Sequence, residues 1–107
     1  MDNHIKTNQL QLTEGKVKGF SGGNLLDLPN GGLKKIKIAA FATYPTHLHP
    51  NKTEYIYVLE GNSTITIGEH TYTGEKDDFF TLPANIEHSI TNSSLNECLL
   101  LVGSINS

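Results

Sequence analysis

Residues 46–61 read Thr46-His47-Leu48-His49-Pro50-Asn51-Lys52-Thr53-Glu54-Tyr55-Ile56-Tyr57-Val58-Leu59-Glu60-Gly61. From Glu54 to Glu60 the side chains follow the two-residue period of a strand, with Ile56 and Val58 on one face and Tyr55, Tyr57 and Leu59 on the other. Gly61-Asn62 then supplies a turn. Upstream, His47 and His49 stand two apart, and in an extended chain such residues project to the same side. Pro50 to Thr53 reads as a loop, after which Glu54 shares the face of Ile56 and Val58. A carboxylate on an otherwise apolar inward face is costly unless it is paired or metal-bound. The stretch therefore reads as two edges of one cavity in a β-protein, furnished with metal-ligating groups.

The pattern extends outward from it. No window carries a sustained apolar stripe at helical period, whereas turn signals recur at Ser21-Gly22-Gly23, Pro29-Asn30-Gly31-Gly32, Gly68-Glu69, Thr73-Gly74 and Asn92-Ser93-Ser94. Between them lie candidate strands at 16–20, 24–28, 33–43, 54–60, 63–67, 70–73, 78–82, 87–91 and 97–105. Many short strands with regular turns indicate an all-β sandwich or barrel. A chain of 107 residues is one domain, assigned to 16–107, with residues 1–15 an arm of little pattern.

A second context carries chemistry: Leu82-Pro83-Ala84-Asn85-Ile86-Glu87-His88-Ser89-Ile90. Pro83 ends a strand, Asn85 tolerates the left-handed turn conformation, and His88 opens the next strand with Ile90 in phase. When the sheet rolls up, this context can meet the first. His47, His49, Glu54 and His88 are then one ligand set, specific in combination although weak one by one. His4 and His70 lack such company and read as surface or filler residues.

These two segments resemble the paired motifs of the cupin superfamily. The first motif, G-x5-H-x-H-x3,4-E-x6-G, is matched by His47-x-His49-x4-Glu54-x6-Gly61. The second, G-x5-P-x-G-x2-H-x3-N, is matched by Pro83-Ala84-Asn85-Ile86-Glu87-His88-x3-Asn92. Phe41, Asp77 and Asn85 stand where the family pattern has glycine, at turn or packing positions. The resemblance covers residues 33 to 103. It implies a double-stranded β-helix, a jelly-roll-like barrel of six to ten strands, with one divalent transition metal (Fe, Mn, Zn, Ni, Co or Cu) in its mouth. It also implies a homodimer, and the open-edged strand around 24–28 is the natural pairing surface.

A six-coordinate ion on four protein ligands keeps two adjacent positions for water or substrate. The expected function is a metal-dependent enzyme of dioxygenase, isomerase or lyase type acting on a small oxygenated molecule. The alternative is a non-catalytic cupin that binds or senses a small molecule such as a sugar; a third reading is a structural barrel with an incidental metal. By phase, Phe41, Ile56, Val58, Phe80, Leu82 and Ile90 form an apolar floor, and Tyr44 is a candidate proton donor at the mouth, or else a rim aromatic that only packs.

Composition narrows the partners. Net charge is −3 with eight Lys+Arg, so there is no basic patch for nucleic acid. Lys34, Lys35 and Lys37 read as a solvated sheet edge. The chain has no arginine, so a bidentate guanidinium clamp for carboxylates is missing and neutral or metal-chelating substrates fit better. Cys98 is the single cysteine, in an apolar run, and reads as a buried structural thiol in a reducing compartment. With no apolar leader and no long apolar run, neither a signal peptide nor a membrane span is expected, and the cytoplasm is the expected location.

Overall fold

The computed structural model describes residues 3–107; the first two residues of the expected arm lie outside the described residues. After a single 3-10 turn at Thr7–Gln9 come ten strands: β1 (Thr13–Glu14), β2 (Phe20–Leu28), β3 (Gly31–Ile38), β4 (Thr43–His47), β5 (Lys52–Glu60), β6 (Ser63–Ile67), β7 (His70–Gly74), β8 (Phe79–Leu82), β9 (His88–Thr91) and β10 (Cys98–Asn106). They form two antiparallel sheets, ordered β1-β2-β3-β10-β5-β8 and β4-β9-β6-β7. This is the jelly-roll arrangement expected of the cupin barrel. Among the described residues no helix is long and apolar enough to cross a membrane.

Alternation explains the pairing. Ile56 and Val58 of β5 are fully buried, while Tyr57 between them reaches solvent. In β10, Cys98 and Leu100 are fully buried and Val102 packs against the same core. Leu100 pairs with Ile36 on one side and Val58 on the other. Ile65 and Ile90 cover this layer from the second sheet. Cys98 accepts a hydrogen bond from Ser63 Oγ at 2.9 Å across the interior. Gly103 lies under the ring of Tyr55, where a Cβ would collide.

Three expectations are corrected. The strand expected at 16–20 is a turn, and only Phe20 enters β2; Gly19 takes φ +86° there, and its N–H donates to Glu14 Oε1 at 2.6 Å. The run expected at 33–43 breaks after Ile38, where a turn closed by Ala42 N–H on Ala39 O sends the chain into the other sheet as β4. Buried Asn92 fastens that turn, since its Nδ2 donates to the carbonyls of Ile38, Ala39 and Asn96. Finally, the lysine-bearing strand is no sheet edge: β3 lies between β2 and β10.

Among the described residues, positive φ outside glycine occurs at Phe41 (61°), Asp77 (73°) and Asn85 (66°). These are the three places where the cupin pattern has glycine. The left-handed turns are therefore kept with side chains present, at about 1–2 kcal/mol each. The segment before β2 partly joins the sheet: Thr13 pairs with Gly22, and Lys35 Nζ donates to Thr7 O at 3.0 Å. β1 covers only Ser21 and Gly22, leaving the edge of β2 beyond them without a strand partner among the described residues.

Candidate metal centre

Each donor is placed by a strand end. His47 closes β4, His49 follows in the loop, Glu54 is the third residue of β5, and His88 opens β9. His47 and His88 are direct partners in the β4–β9 ladder. The turn carrying His88 is tied to the first motif, because Asn85 N–H donates to His49 O at 3.0 Å. One ligand atom from each of His47, His49, Glu54 and His88 lies within 4.8 Å of all the others. Glu54 Oε1 is 3.3 Å from His49 Nε2 and 3.2 Å from His88 Nε2.

The outer nitrogens fix the ring states. His47 Nδ1 donates to Pro45 O at 2.7 Å, and His88 Nδ1 faces Ile86 O at 3.4 Å. Such carbonyl partners leave each Nε2 as the lone-pair nitrogen. Yet the two Nε2 atoms are only 3.0 Å apart. Two lone pairs pointed at each other repel unless a proton or cation lies between them. Three imidazoles and a carboxylate are also ordinary ligands for a divalent transition metal. The donor chemistry thus fits such an ion.

Electrostatics agree with that state. Burial lowers the pKa of His49, helped by the charges of Lys52, His47 and His88 and opposed by Glu54. Burial pushes Glu54 up, but in the metal-free protein a hydrogen bond from His88 when that ring is protonated on both nitrogens, with the charges of Lys52, His49 and His88, outweighs it, so its carboxyl lies below its ordinary value. Both shifts favour unprotonated donors.

The donors open into a cavity of about 240 Å³. Of the expected floor, Ile56, Leu82 and Ile90 line it. The other three do not, which is a correction. Phe41 is 62% exposed, because its left-handed backbone swings the ring outward. Val58 lies one layer deeper, fully buried. Phe80 packs beside Tyr72, with ring centroids 5.7 Å apart. Tyr44 lines the cavity, its ring 4.6 Å from that of His47 and 5.2 Å from that of Phe20. Lys34 and Lys52 also line it. Sequence reasoning missed both, although the signal was there: Lys34 is in phase with Ile36 and Ile38, and Lys52 with Glu54 and Ile56. His4 and His70 are exposed and outside the cluster.

Comparison with known proteins bears on the family and the fold. Residues 36–103 match the family model described as Cupin domain. Among solved structures, the Schizosaccharomyces pombe Cnp3 cupin domain superposes with TM-score 0.89 at 17% identity, over 98% of this chain and 74% of that one. A predicted oxalate decarboxylase from Thermotoga maritima gives 0.88 at 15% identity, over 97% and 99%. The polyketide cyclase RemF from Streptomyces resistomycificus gives 0.83 at 19%, over 98% and 80%. At these identities the likeness concerns the fold alone. Among curated proteins none matches the chain by sequence.

Proposed function

The chain belongs to the cupin domain family, and from that premise we propose that it is a metal-dependent enzyme acting on a small oxygenated molecule. The observation that carries this reading is the convergence of His47, His49, Glu54 and His88 at a cavity with apolar walls. A divalent ion held there supplies a Lewis acid and a docking point for oxygen ligands. The carbonyls of Pro45 and Ile86 hold the rings with Nε2 turned inward. Glu54 contributes the one negative charge of the set. Ile56, Leu82 and Ile90 exclude water from that side, which strengthens electrostatic interactions inside. Tyr44, on the cavity wall beside His47, is the candidate proton donor. Its structural neighbours include a polyketide cyclase and a predicted oxalate decarboxylase, which are compatible with reaction types of this kind.

Elemental analysis of the purified protein, followed by oxygen uptake with the Fe(II)-loaded form, tests the reading. Bound iron with uptake marks a dioxygenase; bound metal with turnover but no uptake marks an isomerase or lyase. Ligand-induced stabilisation with no turnover of any oxygenated substrate would favour the binding or sensing module instead. The working unit in this proposal is a homodimer paired along the exposed part of β2, in the cytoplasm, where the Cys98 thiol stays reduced. Light scattering that returns a mass near 11.7 kDa would overturn the dimer.

A further inference from the structure

Three lysines lie within four residues on β3, but they do not share a fate. Lys35 Nζ donates to Thr7 O at 3.0 Å, and Lys37 Nζ lies 3.8 Å from Glu97 Oε2. Both belong to the outer face. Lys34 pairs in register with Val102 of β10 and Asn24 of β2. Directly paired residues present their side chains to the same face, and Val102 lines the metal cavity. Lys34 therefore stands on the cavity side of β3, where it lines the same cavity as an exposed residue of its rim. Lys52 stands two residues before Glu54 on β5 and shares its face. Among the described residues neither Lys34 nor Lys52 has an ion pair or a side-chain hydrogen bond. Across β10, the two strands that carry them are about 10 Å apart by ordinary sheet spacing.

The charge count follows from the donors. A divalent ion with Glu54 leaves one positive charge, and two ammonium groups raise the cavity to three. Asp27 lines only the adjoining cleft and not this cavity. The missing arginine removes a fork-shaped clamp, but it does not remove the positive charge. A lysine binds an anion as a point charge on a flexible stem. The volume, about 240 Å³, lies below the range usual for drug-sized ligands and calls for a small molecule.

We infer that the cavity takes a small carboxylate whose oxygen atoms reach the metal and whose charge is met by Lys34, with Lys52 as the second cation at the mouth. This rests on the metal-centre reading above and names the substrate class for it. The test uses Co(II)-loaded protein titrated with pyruvate and with its neutral amide, pyruvamide, followed by the visible spectrum of the cobalt and by calorimetry. Pyruvate binds more tightly than the amide in the wild type. Lys34→Met loses roughly tenfold or more in pyruvate affinity, the size of one charge-assisted hydrogen bond, while its Co(II) stoichiometry and melting temperature stay unchanged. Lys35→Met makes the same change in net charge on the outer face and keeps wild-type affinity. Stoichiometric Co(II) with equal binding of acid and amide, or a Lys34→Met variant that binds like wild type, overturns this inference alone. Failure of the wild type to take up Co(II) overturns the metal-centre reading and this inference with it.

Discussion

The Nε2 atoms of His47 and His88 face each other at 3.0 Å, from paired positions on adjacent strands. With each Nδ1 turned to a backbone carbonyl, the pair is stable only with a cation or a shared proton between the rings. Metal binding should therefore stabilise the fold. At free metal a hundred times Kd the gain is about 2.7 kcal/mol, which raises Tm on the order of 10 °C for a domain of this size. Thermal melts with Ni(II) and with a chelator measure it. Identical melting in both would remove the ion from the native protein.

The four donors should separate into those that matter for binding and those that also matter for folding. His49 is partly exposed, with a side chain 34% accessible, so His49→Ala should cost the fold about 1 kcal/mol or less while abolishing stoichiometric metal binding. Glu54→Gln keeps the shape but removes the one negative charge, so it should weaken affinity and alter metal preference. Circular dichroism and metal titration of the two variants check this; a variant that keeps full affinity is not a ligand position.

Acid should destabilise the metal-free protein. The folded-state pKa of His49 is depressed below its ordinary 6.5, and that of Glu54 below 4.5. A depressed group binds fewer protons in the folded state than in the unfolded one. Its contribution is therefore present above the unfolded pKa and lost as pH falls through the folded one. Loss begins below about pH 6.5 for His49 and below about 4.5 for Glu54. Melts between pH 8 and pH 3 should show this two-stage decline, and His49→Ala should lack the first stage. A flat Tm from pH 7 to 5 would contradict the assignment.

Phe41 offers a test of the turn that links β3 to β4. Its φ of 61° carries about 1–2 kcal/mol of left-handed strain, and its ring is mostly in water. Phe41→Gly should leave stability unchanged or raise it by up to about 1 kcal/mol, because glycine's added backbone entropy offsets part of the relief. Urea unfolding would measure the change. A loss above 1 kcal/mol would mean that the ring packs on something in solution, a partner copy included.

What could be read in the sequence was whatever two-residue alternation controls. Glu54 to Glu60 announces both its strand and its buried face, and His47, His49 and His88 announce themselves by spacing. The break after Ile38 is hidden because Ala39, Ala40 and Phe41 continue an apolar run, and nothing local says that the chain changes sheets there. Phe41 looked like floor because its hydrophobicity was visible and its backbone angle was not. Lys34 read as surface, and it is exposed, but its phase with Ile36 and Ile38 put it on the cavity side, at the rim. The layering of Val58 below Ile56 depends on cross-strand register, which a single strand does not reveal.

Glu54 belongs to the larger sheet, whereas His47 and His88 belong to the smaller one. An ion gripped by all of them is a rivet across the barrel's open end, where no backbone ladder joins the two sheets. Loading it should damp the splaying of that rim, so amide hydrogens near residues 44–56 and 82–90 should exchange more slowly with solvent deuterium. Those beside Ser63 and Cys98, buried away from the cavity, should keep their pace.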